Sequence, residues 1–177
     1  MEVRRITRQS AGDLRLKNEA FPMPGRFIPA LSEGVWTYRT ERYPECLWMT
    51  FPDEDYDFET VEKNGAAFGA YEDGVCVGLA VYQNYYFGYM YLLDLKVSAA
   101  ARGKGAGKAL IEAGMTAARE RGYIGLFTQA QDNNLNACLF YLKAGFAIGG
   151  FDNRVYRGTK QEGKADILFY RDCGGLP

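Results

Sequence analysis

The chain has 177 residues, within the range that one hydrophobic core usually fills, and its 21 basic residues against 22 acidic ones leave a net charge of −1. That balance excludes a bulk field able to recruit nucleic acid or an anionic membrane. The absence of histidine excludes Ser-His-Asp and Cys-His hydrolases, so any general base must be a carboxylate, tyrosine, lysine or terminus. Cys46, Cys76, Cys138 and Cys173 are scattered without C-x-x-C spacing, so no metal is expected. With no apolar core in "MEVRRITRQS" and no run of membrane-spanning length, a cytoplasmic protein with reduced thiols is the expectation.

Taken in chain order, "EVRRIT" reads as a short strand and "SAGDLRLKNEAF" as a helix with Ser10 or Asp13 near its cap. Residues 21–52 hold five of the six prolines, which predicts loops and short helices. Trp36, Tyr38, Tyr43, Trp48 and Phe51 there predict a lid-like segment packed by its aromatics. The run "PDEDYDFE" leaves two readings open. Asp53, Glu54, Asp55, Asp57 and Glu59 form either a solvated loop or acidic helix start, or a rim that attracts a polycationic amine.

"GAAFGAYEDGVCVGLAVYQNYY" reads as two strands about Glu72-Asp73-Gly74, and "GYMYLLDLKV" adds a third in an antiparallel meander. "YQNYYFGYMY" lacks the basic interleaving of a base-stacking surface and reads as strand residues around Phe87-Gly88. Residues 105–121 have helical spacing, with Gly122 closing the helix. "YIGLFTQA" is a strand, parallel to "YLLDLKV" by the βαβ rule. "NLNACLFYLKAG" is a helix closed by Gly145, and "FAIGGFDNRVYRG" and "ADILFYRD" supply the last strands. The fold class is α+β (mixed α/β): a central mixed, mostly antiparallel sheet of about six or seven strands flanked by helices.

The stretch "ARGKGAGKAL" is the main chemical signal. Walker A fails because Arg102 replaces its leading glycine and Ala109 its Mg²⁺-binding hydroxyl. The dinucleotide fingerprint fails because Lys108 stands where it needs glycine. The pattern that fits is [QR]-x-x-G-x-[GA], with Arg102, Gly105 and Gly107 in place. Between a strand and a helix, such a loop turns unpaired N–H groups toward a diphosphate, and Arg102, Lys104 and Lys108 can add charge-assisted contacts.

With this loop and with "QDNNLNACLFYLKAGF", which matches N-x₆-Y-x-[KR]-x-GF through Asn134, Tyr141, Lys143, Gly145 and Phe146, the chain resembles the GCN5-related N-acetyltransferase (GNAT) superfamily. The match covers roughly residues 66–150. "TQAQDNNLNACLFYLKAGFAIGGFDNRVY" resembles the streptothricin acetyltransferase branch, while residues 21–52 depart from it. The resemblance implies one acetyltransferase domain over residues 1–177, with residues 1–60 on the acceptor side and 66–150 binding acetyl-coenzyme A. The donor would be acetyl-coenzyme A and the acceptor a primary amine, with no nucleic acid or membrane partner and a homodimer left open. Its diphosphate would lie on Arg102, Gly103, Lys104, Gly105, Ala106, Gly107 and Lys108. Its pantetheine arm would lie along Leu95 and Val97, with Asn134 and Lys143 as further cofactor contacts.

Tyr141 is the candidate proton donor to the departing thiolate, against the alternative of a buried aromatic with a satisfied hydroxyl. Asn134 either caps its helix or bonds the pantetheine amide. Asp94, mid-strand, is the candidate base, because a primary amine near pKa ~10 must lose a proton before attack. Strand parity places it with Leu92 and Lys96, so a plain bridge to Lys96 is the competing reading. Two other functions remain: a silent acyl-coenzyme A sensor, and a nucleotide-dependent phosphotransferase, against which Ala109 argues.

Overall fold

The structure, a computed structural model, describes residues 1–85 and 87–174. In chain order it has β1 (Glu2–Arg5), a 3₁₀ helix (Arg8–Arg15), β2 (Phe21–Ser32), β3 (Val35–Met49), α1 (Phe58–Asn64), β4 (Gly65–Glu72) and β5 (Val75–Gln83). These are followed by β6 (Tyr89–Val97), a 3₁₀ turn (Ala99–Ala101), α2 (Ala106–Glu120), β7 (Gly125–Gln131), α3 (Leu135–Lys143), β8 (Ala147–Asp152) and β9 (Asp166–Asp172). Seven strands form a mixed sheet in the order β1-β4-β5-β6-β7-β9-β8, and β2 pairs with β3 in a second sheet. The α+β class is as expected. No helix among the described residues is long and apolar enough to cross a membrane. The chain divides into two compact units. Residues 1–19, 50–126 and 172 onward form the first, and residues 20–49 and 127–171 the second.

In the first unit the meander forms as the pattern predicts, with β5 antiparallel to both β4 and β6. Asp73 and Gly74, at φ 48° and 80°, make the tight turn. Strand β5 is buried on both faces. Leu79 and Val81 join Ile6, Leu14, Val61, Ala67 and Tyr71 under α1 and the 3₁₀ helix. On the other face Tyr82 donates to the Leu110 carbonyl of α2 at 2.9 Å. The helix can approach because residue 114 is glycine: a Cβ there would lie 2.2 Å from the Tyr82 ring.

Two expectations fail in this unit. Residues 8–15 are 3₁₀ rather than α, with Thr7 as N-cap and Ser10 out of helical geometry, its hydroxyl taking the Thr7 amide instead. Parity also breaks in β6. Tyr82 pairs with Leu92 and Val81 with Asp94, so Leu93 is an inserted residue. Leu92 therefore shares Tyr82's face, while Asp94 shares Val81's.

In the second unit, residues 21–49 form a long antiparallel hairpin, where loops and short helices were expected. A two-stranded ribbon has two edges, so Pro22, Pro24, Pro29 and Pro44 forfeit no essential ladder bonds. The register shifts between Met23 and Gly25, around Pro24. Glu33 and Gly34, at φ 51° and 79°, form its two-residue turn. Phe27, fully buried, stacks on Tyr38 at 4.6 Å and meets Phe169 edge-on at 6.3 Å. Of the five aromatics expected to pack the segment, Tyr38, Trp48 and Phe51 are exposed and Trp36 and Tyr43 only half-buried, because a two-stranded ribbon turns much of its surface to solvent.

Gly114→Ala tests the α2 contact. Helix propensity alone would make it stabilising, but the clash with Tyr82 should destabilise by about 1–3 kcal/mol, read as a lower midpoint in urea.

Candidate active site

The loop after β6 is shaped by two left-handed glycines, Gly103 at φ 78° and Gly105 at φ 93°. A Cβ at either would meet no atom within 4 Å, so backbone conformation rather than crowding selects glycine. Gly105 is the N-cap of α2 and offers no side-chain cap. The amides of Gly103, Gly105, Ala106, Gly107 and Lys108 have no acceptor among the described residues. This fan of free N–H groups at a helix N-terminus suits an anion with several oxygens.

Around it, Arg102, Lys104 and Lys108 are exposed. Arg102 Nε donates to the Val97 carbonyl at 3.1 Å, tying the loop back to β6, and Lys104 reaches Glu72 at 3.5 Å. Leu95 and Val97 stand opposite Ala80 and Gly78 of β5.

Asp94 and Lys96 lie in the same unit, on the face opposite α2. The Asp94 Oδ2 and Lys96 Nζ atoms are 3.1 Å apart, with side-chain exposures of 15% and 9%. The same ammonium bonds Glu54 and lies 5.9 Å from the centre of the Tyr56 ring. The bridge to Lys96 is therefore real, but it is oblique: Oδ2 is buried with no hydrogen bond, the ion pair notwithstanding. Burial raises the Asp94 pKa above the ordinary carboxylate value and Glu54 adds to this, while Lys96 and the Tyr56 hydroxyl oppose it. Burial first, then the carboxylates of Asp94 and Glu54, push the Tyr56 phenol up, so it stays a proton donor. Burial pulls Lys96 down, but its bonds to the two carboxylates outweigh this and keep it cationic.

Glu54 reaches this place because Asn18 holds its loop. Asn18 donates its amide to Asp53 Oδ1 at 2.8 Å and its side chain to the Pro52 carbonyl at 2.8 Å and Glu54 at 2.9 Å. The rest of the acidic run is structural or solvated. Asp53 pairs with Lys17, Asp55 with Arg15 and Glu59 with Arg8, while Asp57 caps α1 by accepting from Thr60 at 2.9 Å. Of the five acids only Glu54 turns into the ionic cluster. A cavity of about 480 Å³, whose lining includes Arg15, Asp55, Tyr56 and Asp57, opens beside it.

The remaining predicted residues lie in the second unit. Tyr141 is 8% exposed, its ring 5.5 Å from both Phe146 and Phe169. Asn134 is the N-cap of α3, its Oδ1 accepting from Ala137 at 3.2 Å. Lys143 is exposed in the last turn of that helix. Asp132, which the sequence does not mark, is 5% exposed. It takes Arg26 at 2.8 Å and the Ala165 amide at 3.1 Å, and its carbonyl takes the Phe27 amide at 2.7 Å. A polar run between a strand and a helix gives no sign of which member is buried.

The model of the acetyltransferase (GNAT) family matches residues 28–146. Streptothricin acetyltransferase A of Bacillus subtilis (strain 168) is 34% identical over 169 residues, 95% of this chain and 98% of its own length. A streptothricin acetyltransferase of Escherichia coli is 30% identical over 118 residues, 67% of this chain and 65% of its own. Among solved structures, a candidate streptothricin acetyltransferase of Bacillus anthracis str. Ames, in complex with acetyl coenzyme A, has a TM-score of 0.86 at 26% identity, covering 97% of each chain. Nourseothricin acetyltransferase has a TM-score of 0.80 at 25% identity, covering 97% of this chain and 98% of its own.

The cap role of Asn134 separates from any other by substitution. Asn134→Ala should cost about 1 kcal/mol, whereas Asn134→Asp keeps the accepting oxygen and should leave the denaturation midpoint nearly unchanged.

Proposed function

The chain belongs to the acetyltransferase (GNAT) family, and we propose that it acetylates a primary amine of a streptothricin-class antibiotic. It is an acetyl-coenzyme A-dependent N-acetyltransferase. The observation that carries the choice of acceptor is the full-length likeness to streptothricin acetyltransferases.

The loop fits the donor. Five free amides and three exposed cations suit a diphosphate, and Ala109 offers no hydroxyl to the Mg²⁺ of a triphosphate. In this reading residues 102–108 hold the diphosphate, the β6 backbone at Leu95 and Val97 holds the pantetheine arm, and Asn134 and Lys143 make further contacts. Bound acetyl-coenzyme A supplies the acetyl group as a thioester whose sulfur leaves as a thiolate.

The chain's residues then move two protons. An acceptor ammonium gives one to Asp94, which becomes neutral, and the freed amine lone pair can form the new C–N bond. As the C–S bond breaks, the Tyr141 hydroxyl gives its proton to the sulfur. A tyrosine near pKa ~10 is protonated at neutral pH and can serve a thiol of pKa ~8.5. The nitrogen sheds its second proton as the new C–N bond becomes the amide, and that proton returns through solvent to the Tyr141 phenolate; the one proton left over, on Asp94, is released to solvent.

A thiol-release assay over streptothricin, polyamines, aminoglycosides and N-terminal peptides tests the acceptor. Streptothricin should turn over fastest. Release with polyamines alone would overturn that acceptor, and binding of acetyl-coenzyme A without release for any amine would leave a sensor. Tyr141→Phe should lower kcat by about 10²–10⁴ with acetyl-coenzyme A affinity by calorimetry nearly intact; unchanged kcat would remove its acid role.

A further inference from the structure

We propose that Glu54 and Lys96 are positioning residues for amine deprotonation: Lys96 holds the Asp94 carboxylate in place, and Glu54 takes up part of the Lys96 charge so that Asp94 remains a usable base. The inference rests on Asp94 being the base.

A carboxylate gripped by one buried ammonium is a poor base, because the cation favours its charged form. A carboxylate buried with no cation has the opposite fault, since it is protonated before the acceptor arrives. The cluster sits between these limits. Lys96 lies between Asp94, at 3.1 Å, and Glu54, which accepts a hydrogen bond from it. Two carboxylates thus share one ammonium, and the group of three is one positive charge short. An incoming acceptor ammonium supplies that charge, and the Lys96 ion pair holds Asp94 Oδ2 without an aligned hydrogen bond that the acceptor would have to break.

The groups around Asp94 are few. On its own strand are Lys96 and, further off, Tyr91, which acts on Tyr56. From the loop come Glu54 and Tyr56. Lys17 is paired with Asp53 at 2.9 Å. Across the ladder β5 presents the apolar Val81. The structure thus gives three handles on Asp94 with different signs. Glu54 raises its proton affinity, whereas Lys96 and Tyr56 lower it. Glu54 acts on Asp94 by its charge and through the shared Lys96, and Asn18 ties it to the loop.

The test is the acidic limb of the kcat/KM pH profile, which reports the base of the free enzyme, measured with acetyl-coenzyme A and streptothricin. Glu54→Gln should move the limb to lower pH, because Lys96 then acts on Asp94 undivided. Lys96→Met and Tyr56→Phe should move it to higher pH, and Lys96→Arg should restore it toward the wild-type position. A structural role alone would lower activity in all four without opposite shifts.

If Lys96→Met does not fold, Glu54→Gln and Lys96→Arg carry the comparison. Asp94→Asn, expected to lose about 10²–10⁴ in kcat with acetyl-coenzyme A affinity retained, separates the two levels. Retained turnover would sink the base reading and this inference with it. Lost turnover together with a limb that Glu54→Gln leaves unmoved, or moves upward, would overturn this inference alone.

Discussion

Leu93 has no partner across β5, and on that insertion the placement of the Asp94 carboxylate depends. In an unbroken strand Leu92 and Asp94 would share a face. Either the carboxylate would then sit under α2, beside Leu110, Ile111 and Met115, or Leu92 would sit among the ions. The first arrangement would strand a charge in an apolar layer, at a cost of several kcal/mol. The second would leave that layer short of a side chain that is 1% exposed. The extra residue lets both side chains have the environment they need, and Leu93 itself is turned out, 42% exposed. Bulges re-aim side chains in this way, and here the re-aimed group is the only carboxylate in the interior of β6.

The strand also sorts charge along its length. At Asp94 and Lys96 the surroundings are carboxylate-rich. Beyond Val97 they become cationic and rich in free N–H groups. At about 3.3 Å per residue the two ends, Asp94 and Val97, stand about 10 Å apart. A molecule with an anionic head and a neutral arm is favoured at one end and a cation at the other. The bond from Arg102 to the Val97 carbonyl fixes where the change occurs. Lys104 and Glu72, both solvated, add little to stability; their place is in the field rather than the fold.

Much of this was legible in the residues, and what was not has physical reasons. Asp73-Gly74 announced its hairpin because only a tight turn needs two successive positive φ values. Glu33-Gly34 carries the same signal with nearly the same angles, but four prolines in its strands spoke against a sheet. That objection holds for central strands and lapses in a ribbon that is all edge. Gly105, Gly122 and Gly145 marked the helix ends because each adopts the left-handed conformation. The bulge at Leu93 has no such mark: it lies in "LLDLKV", where nothing but packing on both faces demands it. The acidic run held a fainter clue. Glu54, Tyr56 and Phe58 alternate inward between exposed Asp53, Asp55, Asp57 and Glu59. Its charge was plain while its periodicity was hidden: the acidic helix start offered for the run is α1 with its Asp57–Thr60 cap, but the inward turn of Glu54 carried no mark of its own.

The cysteines bear on whether the proposed transfer is direct or passes through the protein. Cys138 lies in α3 one turn before Tyr141 and is fully buried. Burial pushes its thiol pKa up, and the charges of Asp132 and Asp166 push it further. Cys76 is likewise raised, by burial and then by Asp13. An acyl-enzyme route needs a thiolate, and thiolates are favoured by nearby cations or helix N-termini. Both of these thiols sit among carboxylates instead. What the second unit offers next to Cys138 is a phenol ringed by Phe140, Phe146 and Phe169, a group suited to giving up a proton and poorly suited to carrying an acetyl. Neither Cys76 nor Cys138 is suited to carry an acetyl group, which fits the proposed direct attack by the amine, with Asp94 as its proposed base.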